Sequence, residues 1–113
     1  MRKRVLQVMN YGSAYKGNFI RSIEALETEI SKDCGKIVYV LPRRAKKRDW
    51  TVKMKEEGHS VFFLNDRIFA DTILLKRLIK EFDINIIHSH FMTYKTYIPI
   101  RLARISQRII PHI

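Results

Sequence analysis

Short apolar runs alternate with stretches of helical periodicity along the 113-residue chain. The runs are β-prone and end at residues such as Asn10 or Pro42, which is typical of buried strands that meet loops. The five predicted strands are Val5–Met9, Lys36–Leu41, His59–Leu64, Asn85–His88 and a run beginning at Arg108 and reaching Ile113.

Between these runs, apolar residues recur every three or four positions, which predicts helices with one apolar face. The four predicted helices are Gly17 to about Lys32, Asp49–Glu57, Asp71–Phe82 and a segment between Thr93 and Gln107. Asp71 is expected to cap the third helix, whose apolar side is Ile73, Leu74, Leu78, Ile79 and Phe82. The apolar side of the first is Phe19, Ile20, Ile23, Leu26 and Ile30. Pro99 limits where the last helix begins, because proline fits best in a first turn.

Strict alternation of strands and helices predicts an α/β fold with a doubly wound parallel sheet. We expect a Rossmann-like domain over residues 1–113 with five strands, three α/β/α layers and the strand order 3-2-1-4-5. The chain length leaves no room for a second core. Ligands of such sheets bind at the carboxyl ends of the strands, near the switch in strand order. That edge gathers the residues after the first strand (10–17) and after the fourth (88–93).

The loop 12–17 has the composition of a ligand-contacting loop, with two glycines and a lysine just before a helix. Such a loop can present backbone N–H groups to a phosphate. The alternative, which we favour less, is that the glycines only shape a tight turn. It matches neither a Walker loop nor a G-x-G-x-x-G dinucleotide fingerprint. The candidate substrate-binding residues here are Gly12, Lys16, Gly17 and Asn18.

His88 and His90 end the fourth predicted strand, and strand alternation puts both imidazoles on one side. The sequence offers no third ligand, so a metal site is not expected. We interpret His88 as a structural histidine, and His90 as a hydrogen-bond donor to a hydroxyl or phosphate of a ligand. His59 is interpreted as a strand-entry residue that caps the preceding turn.

Several catalytic classes are disfavoured by the sequence. A G-x-S-x-G elbow is absent, and Cys34 is expected at a helix end away from the switch point. Capping roles account for Asp66, Asp71 and Asp83. A receiver domain needs acidic residues where Asn10 stands and an acceptor after the third strand, where Asp66 alone is available. No catalytic residue is assigned.

The charge of the chain indicates an anionic partner. Lys plus Arg number 22 against 11 Asp plus Glu, which gives a net charge of +11. The densest basic run is Arg43, Arg44, Lys46, Lys47 and Arg48. Such a run is either a solvated loop or a contact for an anionic membrane surface or polyanion. Nucleic acid is not expected, because aromatic residues are not interleaved with the basic ones.

Other features of the composition bear on location. A single cysteine excludes an internal disulfide framework and a cysteine-rich zinc site. No run approaches the roughly 20 apolar residues that span a bilayer, and the amino terminus lacks the features of a signal peptide. We therefore expect a cytoplasmic protein, peripheral to the inner face of the membrane if the basic run binds lipid.

Three segments resemble the amino-terminal half of a retaining GT-B glycosyltransferase of the family 4 type. The segment R-V-L-Q-V-M-N-Y-G-S-A-Y-K-G-N-F (4–19) looks like its first strand and glycine-containing loop, without the usual double glycine. The segment E-G-H-S-V-F-F-L (57–64) resembles its "G-H-x-V" strand entry. The segment F-D-I-N-I-I-H-S-H-F (82–91) is similar to its "pDiiHsH" strand and turn, which adds Phe91 to the candidate substrate-binding residues.

This resemblance implies transfer of a sugar from a nucleotide-sugar to a cell-envelope or lipid-linked glycan, with no cofactor besides that donor substrate. In that family this half holds the acceptor, and a second half binds the nucleotide. The segment 109–113 resembles the strand before the family's catalytic-region histidine, so we expect a truncated fragment that is inactive alone. Self-association through uncovered surfaces is expected. The alternative is a non-catalytic, basic α/β module that binds a partner or polyanion.

Overall fold

The computed structural model describes residues 3–12, 21, 24, 25, 27–29, 35–90, 94–105 and 110–112. Its four longer strands are β1 (Arg4–Met9), β2 (Lys36–Leu41), β3 (Ser60–Phe63) and β4 (Ile86–His90). A three-residue strand, β5 (Ile110–His112), pairs with β4 at one side. All pairs are parallel and the order is β3-β2-β1-β4-β5. The predicted parallel α/β architecture and strand order, with β1 central, are confirmed.

Three helices connect the later strands. They are α1 (Asp49–Glu56), α2 (Ile68–Glu81) and α3 (Tyr94–Ile105), and a short 3-10 turn, Arg43–Ala45, precedes α1. Residues 21, 24, 25 and 27–29 are also helical and are called the first helical segment below. The apolar face predicted for that helix and Cys34 lie outside the described residues.

The strands bury different side chains on the two faces of the sheet. On one face, Leu6, Val8 and Val38 pack with α2 residues such as Leu75 and Leu78. On the other face, Met9, Tyr39 and Leu41 pack with Ala45 and with Trp50 of α1. Helices therefore cover both faces, as right-handed crossovers between parallel strands require.

Helix α2 differs from its prediction. It begins at Ile68, so Asp71 lies in its first turn rather than at the cap position. The carboxylate of Asp71 is buried and accepts a hydrogen bond from the Asn65 N–H at 2.6 Å. Ile73 is 54% exposed, whereas Leu75 is 1% exposed. These two positions lie about 200° apart around a helix, so placing Ile73 on the apolar side was wrong.

The carboxyl end of the chain also departs from the prediction at two elements. Strand β4 reaches His90 because Val8 and Met9 of β1 continue alongside it. Pro99 lies inside α3, which begins at Tyr94, so the prediction that proline limits the start of this helix was wrong. Proline has no N–H to donate to the carbonyl of Lys95, but buried Ile100 and Ala103 hold the following turn against the core.

Among the described helices, none has the length and apolar character needed to cross a membrane.

Candidate ligand-binding edge

The loop after β1 and the end of β4 lie side by side at the carboxyl edge of the sheet. Met9 is in register with His90, and the Asn10 N–H donates a hydrogen bond to the His90 carbonyl at 3.1 Å. Two predicted site residues, Gly12 and His90, therefore lie at the same edge. The other predicted substrate-binding residues, Lys16, Gly17, Asn18 and Phe91, lie outside the described residues.

The His90 ring lies between two polar neighbours. Its Nε2 is 3.0 Å from the Gln7 Oε1, and its ring centroid is 4.1 Å from that of His88. Burial, and secondarily the neighbouring His88, lower the pKa of His90 from 6.5 to about 4. The imidazole is neutral at pH 7, and the bond to Gln7 makes Nε2 the donor and Nδ1 the acceptor. His90 is therefore a hydrogen-bonding group rather than a cation.

Gln7 is a site residue that the sequence analysis missed. It is fully buried in the middle of β1, and its Nε2 has no hydrogen-bond partner among the residues that the structure describes. A buried donor without an acceptor costs about 1–3 kcal/mol. The sequence contained one signal for this residue. Gln7 is the only polar side chain within the predicted strand Val5–Met9, and that strand lies at the switch in strand order.

Two arginines of the basic run bind the loop after β1. The Arg44 Nη1 donates to the Asn10 Oδ1 at 3.0 Å, and its Nη2 donates to the Asn10 carbonyl at 3.1 Å. The Arg48 Nε donates to the Gly12 carbonyl at 2.9 Å. A Cβ on Gly12 would lie 2.5 Å from the Arg44 Cγ, so the glycine allows this close approach.

The five cations of the basic run therefore have different surroundings. Arg44 and Arg48 lie against the candidate ligand-binding edge, which is the carboxyl edge of the sheet at Asn10, Gly12 and His90. Arg43 and Lys46 line a groove beside β3, and Lys47 is exposed. The sequence showed a single basic segment and gave no sign of which residues would turn towards the loop. Contact of this run with a membrane or polyanion stays a prediction.

A second polar cluster joins the first helical segment to the sheet. The Tyr39 hydroxyl donates a hydrogen bond to the Glu27 Oε2, and the His59 Nδ1 lies 3.0 Å from the Glu27 Oε1. Burial first, and the bond to Glu27 second, raise the pKa of Tyr39 far above its ordinary value. His59 caps the preceding turn as predicted, because its N–H donates a hydrogen bond to the Met54 carbonyl at 3.1 Å. The pairing of its side chain with Glu27 was not predicted.

The described side chains at the edge provide hydrogen-bonding groups. The described residues contain no group of three or more His, Cys, Asp or Glu side chains that could hold a metal ion. His88 and His90 lie together as predicted, but the His90 Nε2 already bonds to Gln7. No protein-family model, curated protein or solved structure matches this chain. Its function is therefore inferred from the edge itself and from the sequence.

Proposed function

We propose that this chain is the acceptor-side, amino-terminal half of a GT-B glycosyltransferase. The full enzyme would transfer a sugar from a nucleotide-sugar donor to a cell-envelope or lipid-linked glycan. The observation that carries the proposal is the 3.1 Å hydrogen bond between the Asn10 N–H and the His90 carbonyl. It brings together the two segments that carry most of the resemblance, the glycine-containing loop and the histidine turn.

The chemistry of the edge supports binding of a hydroxyl-rich acceptor. The Nε2 donor of the neutral His90 imidazole bonds to Gln7, and its Nδ1 is an acceptor of the kind that suits a donating sugar hydroxyl group. Arg44 and Arg48 add positive charge beside the loop after β1. Positive charge at this edge would favour the diphosphate that leaves during transfer from a nucleotide-sugar. Donor binding would belong to a second half, so the 113-residue chain would bind acceptor without turnover.

A titration followed by nuclear magnetic resonance tests this proposal. The probe is a short-chain polyprenyl-diphosphate disaccharide, used as an acceptor analogue. We expect the acceptor analogue to shift the signals of His90, Asn10 and Gly12 together, and His90→Ala to abolish its binding. Lys53→Ala is the matched control, because Lys53 is exposed on α1 away from the edge. The proposal is wrong if the analogue does not bind, or binds without moving the three edge signals.

The non-catalytic alternative keeps one observation in its favour. A groove beside β3 is lined by five cations and, within the described part of the chain, by no acidic residue. Asn10, Gly12 and His90 are not among its lining residues. The same titration separates the two functions, because binding through this groove would shift signals of β3 and α2 instead. The cytoplasmic location stays a prediction of the sequence.

A further inference from the structure

A groove of about 780 Å³ runs along the outer edge of β3. Its floor is a continuous stretch of the chain, residues 61–65, which includes three of the four residues of β3. Strand β3 pairs with β2 on one side, and it is the last strand of the sheet on the other. The groove therefore follows an open strand edge rather than a closed pocket.

Cations line both walls of this groove. Arg43, Lys46 and Lys55 come from the 3-10 turn, the residue after it and α1, on one face of the sheet. Arg67 directly precedes α2 and Arg77 lies within it, and α2 packs on the other face. All five side chains belong to exposed residues. Among the residues that the structure describes, none of the five forms an ion pair, and no acidic side chain lines the groove.

Two of these cations converge on one aromatic ring. The Nζ atoms of Lys46 and Lys55 lie 6.0 and 5.5 Å from the centroid of Phe63. The ring attracts each ammonium group through its negative face, but the two like charges repel each other. An anionic side chain placed between them would relieve that repulsion.

The backbone of β3 presents hydrogen-bonding groups to the same groove. The Leu64 N–H donates to the Leu41 carbonyl of β2 at 2.9 Å. Because backbone groups of successive strand residues point to opposite sides, those of Val61 and Phe63 point away from β2 towards the groove. An open strand edge can accept an added strand, in which main-chain hydrogen bonds supply affinity.

We propose that this groove binds an extended, acidic segment of a partner protein, which adds to the sheet as a strand beside β3. The backbone groups of Val61 and Phe63 would pair with the main chain of the segment. Its carboxylates would lie between the cations on the two walls. This proposal is independent of the transferase function, because the groove does not include the residues of the ligand-binding edge.

Other occupants fit the groove less well. A second copy of this chain carries a net charge of +11, and its own β3 edge bears the same cations, so edge-to-edge pairing is repulsive. A single-stranded nucleic acid needs an open aromatic face for stacking, whereas Phe63 already has two ammonium groups near it. An anionic bilayer offers no backbone groups to pair with the strand edge.

A peptide-binding experiment with the full chain tests the proposal. The probe is a short fluorescent peptide that alternates Glu and Val, which is acidic and favours an extended strand. We expect saturable binding by fluorescence anisotropy and slower amide exchange at Val61 and Phe63. Methylating alternate peptide nitrogens retains the charge but removes the donors for the strand ladder, and we expect this to weaken binding by about tenfold or more. Equal binding of the methylated peptide would mean attraction by charge alone, and would overturn the proposal.

Charge-reversed variants locate the site. Lys55→Glu and Arg77→Glu should each weaken binding by about fivefold or more at low salt. Lys53→Glu on α1 and Lys76→Glu on α2 change the net charge equally from exposed positions outside the groove, and should have less than about a twofold effect. Equal losses in the groove and control variants would overturn the proposal. So would displacement of the peptide from the groove by anionic vesicles or by single-stranded RNA at lower concentrations than the unlabelled peptide requires.

Discussion

The guanidinium group of Arg44 binds Asn10 through both terminal nitrogens, one to the side-chain oxygen at 3.0 Å and one to the backbone oxygen at 3.1 Å. This pair joins residues that lie 34 positions apart, and Asn10 is also bonded through its N–H to the end of β4. Arg44 therefore links the basic run to the loop after β1. Removing all five cations together would disturb the ligand-binding edge as well as any surface contact.

Replacing Gly12 by alanine should cost stability through Arg44. The new Cβ would lie 2.5 Å from the Arg44 Cγ and 2.7 Å from its Nε, so the arginine must move off Asn10. We expect a loss of about 1 kcal/mol in the free energy of unfolding, measured in urea. In an Arg44→Ala background, the same substitution should cost much less.

Gly58→Ala is the matched control for that cycle. Gly58 has a φ of +92° and no neighbour near an added Cβ, so its substitution strains the backbone alone. Its cost should be the same with and without Arg44. If the cost of Gly12→Ala is also the same with and without Arg44, the close approach of Arg44 is not the reason that position 12 requires glycine.

His90 should make the protein less stable as the pH falls from 6.5 to about 4. Its pKa is about 4 in the folded chain and 6.5 ordinarily, so the unfolded chain binds more protons in this window. The free energy of unfolding therefore increases as the pH rises through this window and decreases as the pH falls. Because the ring is only partly buried, we expect about 1 kcal/mol.

Urea unfolding at pH 7 and pH 5 measures this effect, with His90→Gln as the comparison. The difference in unfolding free energy between the two pH values should be smaller in the variant, since the titrating group is gone. An unchanged difference would show that His90 titrates at its ordinary pKa in the folded protein.

Tyr39→Phe should destabilise the protein by about 1–2 kcal/mol, because it leaves the Glu27 Oε2 without the hydroxyl that now donates to it. The parent chain should also lose stability as the pH rises above 10. The pKa of Tyr39 is raised by folding, so the unfolded chain ionises at a lower pH and is favoured there. Denaturation at pH 7 and pH 10.5 measures both effects, and the alkaline loss should be smaller in Tyr39→Phe. A variant as stable as the parent at pH 7 would contradict this.

Thr51→Val should stabilise the fold. The Thr51 hydroxyl is fully buried in α1 and has no hydrogen-bond partner among the described residues. Valine has nearly the same shape and removes the desolvated polar group, so we expect a gain of about 1 kcal/mol in the free energy of unfolding. Thr51→Ser retains the hydroxyl and should show no gain in the same denaturation experiment.

The sequence predicted the fold well because hydrophobic periodicity determines which elements form. Strand β2 has the predicted bounds. Strand β1 starts one residue earlier than predicted, and β3 and β4 differ by one or two residues at each end. The predictions that failed concern positions whose structure is determined by tertiary packing. Pro99 lies within α3 because burial of the next turn offsets the lost hydrogen bond, and Asp71 is buried because it satisfies the Asn65 N–H.

The candidate site was less predictable than the fold. The pairing of β1 with β4 followed from the strand order, so the meeting of Gly12 and His90 at one edge was anticipated. The contacts of Arg44 with Asn10 and of Glu27 with Tyr39 were not anticipated, because each joins residues that are distant in sequence. A run of like charges or a row of glutamates on a helix does not indicate which member turns inward.

Trp50, the one tryptophan of the chain, is 6% exposed, and its ring centroid lies 5.7 Å from that of Tyr11. Tyr11 stands between Asn10 and Gly12, the residues held by Arg44 and Arg48. Indole emission depends on its immediate surroundings, so the light emitted by this residue reports on the loop after β1. The fluorescence of Trp50 is thus an intrinsic probe of the candidate ligand-binding edge, and screening for ligands there needs no added label.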